Sequence, residues 1–308
     1  MTETRPGAMQ GLKWRLEATF FDLFTALVRR LPLDAASGLG GALFRLLGPL
    51  TSAHKVARRN LRLAFPDLEA GDRDRLLAAQ WENVGRTFIE LPLMDRLTVT
   101  GGRVTVENAD RLEAIASGGH PVVFVSGHFS NWEVMAAVIV GAGVDCQVTY
   151  RAANNPLVDA RIKRSRFRYG VRLFAPKGAD GARELLVALQ NGQSVAMMND
   201  QKYDGGVAAP FFGRTVHTLP AAVRLALRFG TLIQPMSIQR VTGARFRCIV
   251  HEPIALTDTG DRAADILAGV TAINAFIEAR VRERPHEWFW VHRRWPAQAY
   301  AELAAEGF

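Results

Sequence analysis

Cysteine is scarce: Cys146 and Cys248 are the only two in 308 residues. Two cannot build a disulfide framework and have no metal-type spacing, which points to a reducing compartment. Lysine is scarce too, at Lys13, Lys55, Lys163, Lys177 and Lys202, so the 38 basic residues are nearly all arginine. Long apolar runs are missing. The strongest candidate, Trp14 to Leu33, is interrupted by Glu17 and Asp22 and carries Arg29 and Arg30 near its end. It falls short of the roughly 20 predominantly apolar residues that a spanning helix wants. No small-residue cleavage site follows it, which argues against a secretory signal. There is no internal repeat, low-complexity tract or long linker. Several chemistries are excluded as well. The chain has no Gly-x-Ser-x-Gly elbow and no Walker loop, and "HEWFW" at His286 is not the zincin pattern.

What is present is globular: 48% hydrophobic and 22% charged residues. The net charge of +8 favours anionic partners, whether nucleic acid, lipid headgroups or an acidic protein. No recognisable nucleic-acid module accompanies the charge, so nucleic acid is not expected as a partner. Leu16, Phe20, Leu23, Phe24 and Leu27 recur at helical spacing. Such a helix lies on a membrane or on the core. A second apolar stretch, "LGGALFRLLGPL", tilts the balance towards a membrane. Two more helical segments start near His54 and Asp72, with Pro66 between them. Residues 1–100 therefore read as a helical N-terminal region with an interfacial membrane helix. It is continuous with an α/β core over 101–308, one structural domain overall.

From about Gly101 the texture changes. "PVVFVS" (Pro121 to Ser126), "DCQVTY" (Asp145 to Tyr150) and "SVAMMN" (Ser194 to Asn199) are short apolar runs suited to strands buried on both faces. "LIQPMSIQ" and "FRCIVHEPI" follow. Helical segments lie between them, ending at glycine where helices often stop. The alternation predicts an α/β fold with a mostly parallel central sheet flanked by helices, and room for antiparallel strands late in the chain.

Ligands in open α/β sheets gather beyond the carboxyl ends of the strands. His128, Arg151 and Asp200 each fall just past such an end, and would face one rim. In "HFSNWE", Ser130 and Glu133 fit a Ser-x-x-Glu capping box, which alone would account for the glutamate. The same placement lets a first-turn Glu133 reach back to His128, fix its tautomer and leave the other ring nitrogen as a base. With no protein nucleophile in view, such a base would activate a hydroxyl or a water.

The His-x4-Glu in "GHFSNWE" resembles the His-x4-Asp/Glu motif of glycerolipid acyltransferases. With "RRNLRLAFPDL", "YRAANNPLVD", "NDQK", "PFFGR" and "PHEWFWVHRRW", the chain is similar to the late acyltransferases of lipid A biosynthesis. These matches run from about residue 55 to 295. One departure is an N-terminal anchor less hydrophobic than a typical spanning one. The resemblance implies a glycerolipid-acyltransferase-like fold at the cytoplasmic face of the inner membrane, peripheral or monotopic. It implies an acyl carrier protein as donor, a phosphorylated lipid A precursor as acceptor, and no metal or other cofactor. His128 would be the base and Glu133 its partner. Arg151 would bind phosphate or stabilise the oxyanion, Asp200 would hold Arg151 or a loop, and Asn131 would belong to the same substrate-binding or oxyanion group.

On "RIKRSRFR", Arg161, Arg164 and Arg168 share one helical face, either solvated or open to the carrier protein or lipid phosphates. Two other readings compete: acylation of a different lipid or glycolipid, and a non-catalytic basic protein that binds membrane or nucleic acid.

Overall fold

The computed structural model describes residues 8–171, 174–176 and 179–305. The outermost residues of both regions named above, 1–7 and 306–308, lie outside it. Four helices open the chain: α1 (Ala8–Arg30), α2 (Leu33–Leu47), α3 (Ser52–Ala64) and α4 (Ala70–Glu90). Strands and helices then alternate as β1 (Val104–Glu107), α5 (Ala109–Gly118), β2 (Val123–Ser126), α6 (Glu133–Gly141), β3 (Cys146–Tyr150), α7 (Pro156–Phe167), β4 (Phe174–Pro176), α8 (Ala179–Gln190) and β5 (Ser194–Met198). The hairpin β6 (Lys202–Phe211) and β7 (Arg214–Thr218) comes next, then α9 (Ala221–Phe229), β8 (Ile233–Thr242), β9 (Arg245–Val250), α10 (Arg262–Glu283) and α11 (Ala297–Ala305).

Seven strands form one sheet in the order β1-β9-β8-β2-β5-β3-β4. Its centre is parallel, as the unalternating apolar runs predict: β2 pairs in parallel with β5 and β8, and β3 with β5 and β4. The antiparallel exception comes late, where β8 turns back into β9. All four residues of β2 are buried, because helices cover both faces. A continuous hydrophobic core runs from Val28 on α1 to Leu303 on α11.

Helices α1 and α2 are apolar on two sides. Ala18, Phe24 and Val28 of α1 pack on the protein, and three of its ionic groups bond to the body. Asp22 takes a two-pronged bond from Arg161 of α7 (2.6 and 2.7 Å), Glu17 accepts from Asn155 (2.8 Å), and Arg29 grips Asp95 (2.7 and 2.8 Å). The opposite face carries Leu12, Leu16, Phe20, Leu23 and Leu27, each 59–72% exposed. Helix α2 adds exposed Leu39, Leu43, Leu46 and Leu47, and Leu50 follows at 81% exposure. Exposed apolar residues in this number suit a contact face. Among the described residues, no helix is long and apolar enough to cross a membrane.

Candidate active site

The site is built by register. Parallel pairing sets Ser126 of β2 opposite Met198 of β5. Two residues further along each strand, His128 and Asp200 therefore emerge side by side. Nδ1 of His128 lies 2.7 Å from Oδ1 of Asp200. Oδ2 of the same carboxylate accepts the His128 backbone N–H and the Trp288 indole N–H, both at 2.7 Å. Gly127 permits this approach, since a Cβ there would stand 3.2 Å from Oδ2 and 2.9 Å from the Phe129 ring.

Asp200 is buried, which by itself raises a carboxyl pKa. The imidazole charge and the three hydrogen bonds outweigh that, and hold Asp200 below the usual carboxylate range. An ionised Asp200 fixes the proton on Nδ1 and leaves Nε2 able to accept one. Behind it lies Arg294, buried and donating to His217 O, Thr218 Oγ1 and Asn274 Oδ1. Burial pushes this arginine down to about 10, against the pull of the Asp200 charge.

The closing segment clamps the loop. Ser130 N–H donates to Glu287 O (2.7 Å) and Phe289 N–H to His128 O (3.1 Å), while Phe129 bridges Trp288. The Trp132 ring stands edge-on to the imidazole, with ring centres 5.0 Å apart.

The carboxylate that orients His128 is thus Asp200, not Glu133. Glu133 turns to α7, where it takes a two-pronged bond from Arg166 and the hydroxyl of Tyr169 (3.1 Å). No capping box forms. Ser130 sits in the left-handed region (φ 43°) and α6 starts only at Glu133, so the glutamate stands at the first helical position instead of the third. Burial opposes the Arg166 charge, yet the Glu133 carboxylate prevails and raises the guanidinium above the usual arginine range. Arg166 also stacks on the Tyr150 ring, 4.3 Å from its centre.

Asn131 is fully buried and points away from the site. Its amide donates to Glu90 (2.9 Å), which also binds Ser37 of α2 and Arg240 of β8. Arg151 is exposed, one strand further along the rim than Asp200, because β3 neighbours β5 and not β2. Asp200 therefore serves the histidine and not Arg151. Arg161 is committed to Asp22, which leaves Arg164 and Arg168 as exposed members of that trio.

A cavity of about 420 Å³ opens at His128. Its mouth carries His128, Trp132, Arg151, Arg166, Gln201 and His292; its interior is lined by Phe124, Val125, Met135, Ile139, Val148 and Met236. Spacing within the sequence does not single out Arg166, Tyr169 or Trp288, which come from segments brought in by tertiary packing. A second hollow, around Gln147, Arg183 and Gln193, contains none of these groups.

A histidine bonded to a buried carboxylate beside a cavity with a largely apolar interior is an arrangement suited to an enzyme. The chain belongs to the bacterial lipid A biosynthesis acyltransferase family, whose pattern matches residues 16–297, and it is an acyltransferase. It is 24% identical over 280 residues to the lipid A biosynthesis palmitoleoyltransferase of Escherichia coli (strain K12), covering 89% of each chain. It is also 24% identical over 280 residues to the lauroyltransferase of that organism (87% of each), and 25% identical over 252 residues to a lipid A biosynthesis acyltransferase of Haemophilus influenzae (78% of this chain, 76% of the relative).

Proposed function

We propose that the protein moves a fatty acyl chain from the thioester of an acyl carrier protein to a hydroxyl of a phosphorylated lipid A precursor. The observation that carries this reading is the apolar cavity ending under an imidazole whose Nδ1 is held by buried Asp200. Nε2 of His128 removes the acceptor hydroxyl proton as that oxygen attacks the thioester carbon. The carbonyl oxygen gains charge. Arg166, held by Glu133 in the cavity lining, is a cation placed to meet it. The C–S bond then breaks, an ester forms, and the departing sulfur takes its proton from the imidazolium. Asp200 stabilises that imidazolium and does not itself become protonated.

Arg151, exposed at the rim, suits the acceptor phosphate. Arg164 and Arg168 are open to an acidic carrier protein. The exposed apolar face of α1 and α2 suits a monotopic seat in the cytoplasmic leaflet of the inner membrane, where a soluble donor meets a lipid acceptor.

The test is an assay of purified protein with acyl carrier protein thioesters and an under-acylated, phosphorylated precursor. The expected products are an ester and free carrier thiol, both abolished by His128→Ala. Thiol release without ester would identify a hydrolase and refute the transfer.

A further inference from the structure

Four of the chain's seven methionines, Met135, Met197, Met198 and Met236, line the cavity beneath His128. They come from three separate elements: α6, β5 and β8. Elsewhere the central strands fill the core with branched residues, such as Val123, Val195 and Ile238. Branched side chains with few rotamers define a fixed wall. Methionine is unbranched, has three rotatable bonds and adapts to irregular space. The methionines gather where the core is hollow, beside the branched Val125, Ile139 and Val148. Ala136 and Ala196 also line the cavity and leave the thioethers room to turn. Met135 and Met236 are at most 3% exposed, so these side chains shape the interior and not the entrance.

We propose that the cavity is a compliant slot that takes acyl chains of more than one length, its methionines turning in behind a short chain and folding aside for a long one. The proposal rests on the acyl-transfer reading above. In a rigid apolar pocket one methylene more or less changes kcat/KM by about 10–200-fold. A wall that follows the chain reduces that penalty, because neither a void nor a clash is left behind.

The experiment uses the full chain in detergent micelles with saturated acyl carrier protein thioesters of ten, twelve, fourteen and sixteen carbons. We expect kcat/KM to stay within about tenfold from twelve to sixteen carbons, against the rigid-pocket range. A fall of more than about tenfold between twelve and sixteen carbons would overturn the slot. Replacing Met135→Ile together with Met236→Leu stiffens the wall at nearly constant volume, and should steepen each step beyond about tenfold. Thermal melting confirms that this variant is folded. A folded variant with the wild-type profile removes the methionines from the explanation, and the wild-type profile decides the slot even if the variant fails to fold. Absence of transfer with every chain length counts against acyl transfer itself, and the slot falls with it.

Discussion

At the scale of the residue, the division of labour between two carboxylates has measurable consequences. Asp200→Asn keeps the shape but loses the charge that fixes the His128 tautomer and supports its imidazolium. Turnover should fall by about 10²–10⁴-fold in steady-state kinetics. In a His128→Ala background the same change should cost almost nothing more, because the two act as a unit. Glu133→Gln acts elsewhere: it leaves Arg166 without its counter-charge, and should lower kcat by about tenfold or more. That loss should multiply with the Asp200→Asn loss, because the two changes touch different hydrogen-bond partners. Arg151→Ala should raise KM for the phosphorylated acceptor by about tenfold and leave a dephosphorylated acceptor unaffected. His128, Arg151 and Asp200 were all legible as residues just past strand ends. The pairing of His128 with Asp200 was not, since it follows from the β2–β5 register across 72 residues of chain. Glu133 is nearer in sequence but belongs to a helix that starts too late to turn it back.

At the scale of the element, α1 buries Ala18 and Val28 against the body and still carries a second, exposed apolar face. Its salt bridges to Arg161 and Asp95 fasten it to the body, and its leucines face outward. Fully burying a leucine or phenylalanine contributes about 1.5–3 kcal/mol. Phe20→Glu with Leu46→Glu should therefore weaken binding to anionic vesicles by at least about tenfold per site in flotation assays. Circular dichroism should be unchanged, because both side chains already lie outside the core. Equal vesicle binding by the double variant would rule out this face as the seat. Periodicity announced α1, but not which face turns inward; Ala18, Phe24 and Val28 pack on the body, and Glu17 and Asp22 find partners on and before α7. The long α10 and the β6–β7 hairpin carried weaker signals. Helix α10 buries only one flank, and the hairpin stands apart from the main sheet.

At the scale of the whole molecule, the fold disfavours the charged form of three histidines other than His128. Burial lowers the affinity of His54, His251 and His286 for a proton, and brings His251 down to about 4. The unfolded chain binds protons with a pKa near 6.5. Between those values the unfolded state holds more protons, so stability is complete above about pH 6.5 and declines as pH falls towards 4. Melting temperature should begin to drop below about pH 6.5, before carboxylates titrate. His251→Gln, which can keep the contact to Ser237 (2.7 Å in the native protein), should make that decline shallower.

The Trp288 indole that completes the Asp200 hydrogen bonds arrives 88 residues after it in the chain. The partners that pin the His128 loop, Glu287 O and Phe289 N–H, come from the same stretch. On the ribosome, the exposed apolar helices α1 and α2 emerge well before the segment that clamps the His128 loop. On the proposed function, membrane capture precedes catalytic maturity, and a chain broken off before Pro285 is expected to float with vesicles yet lack activity.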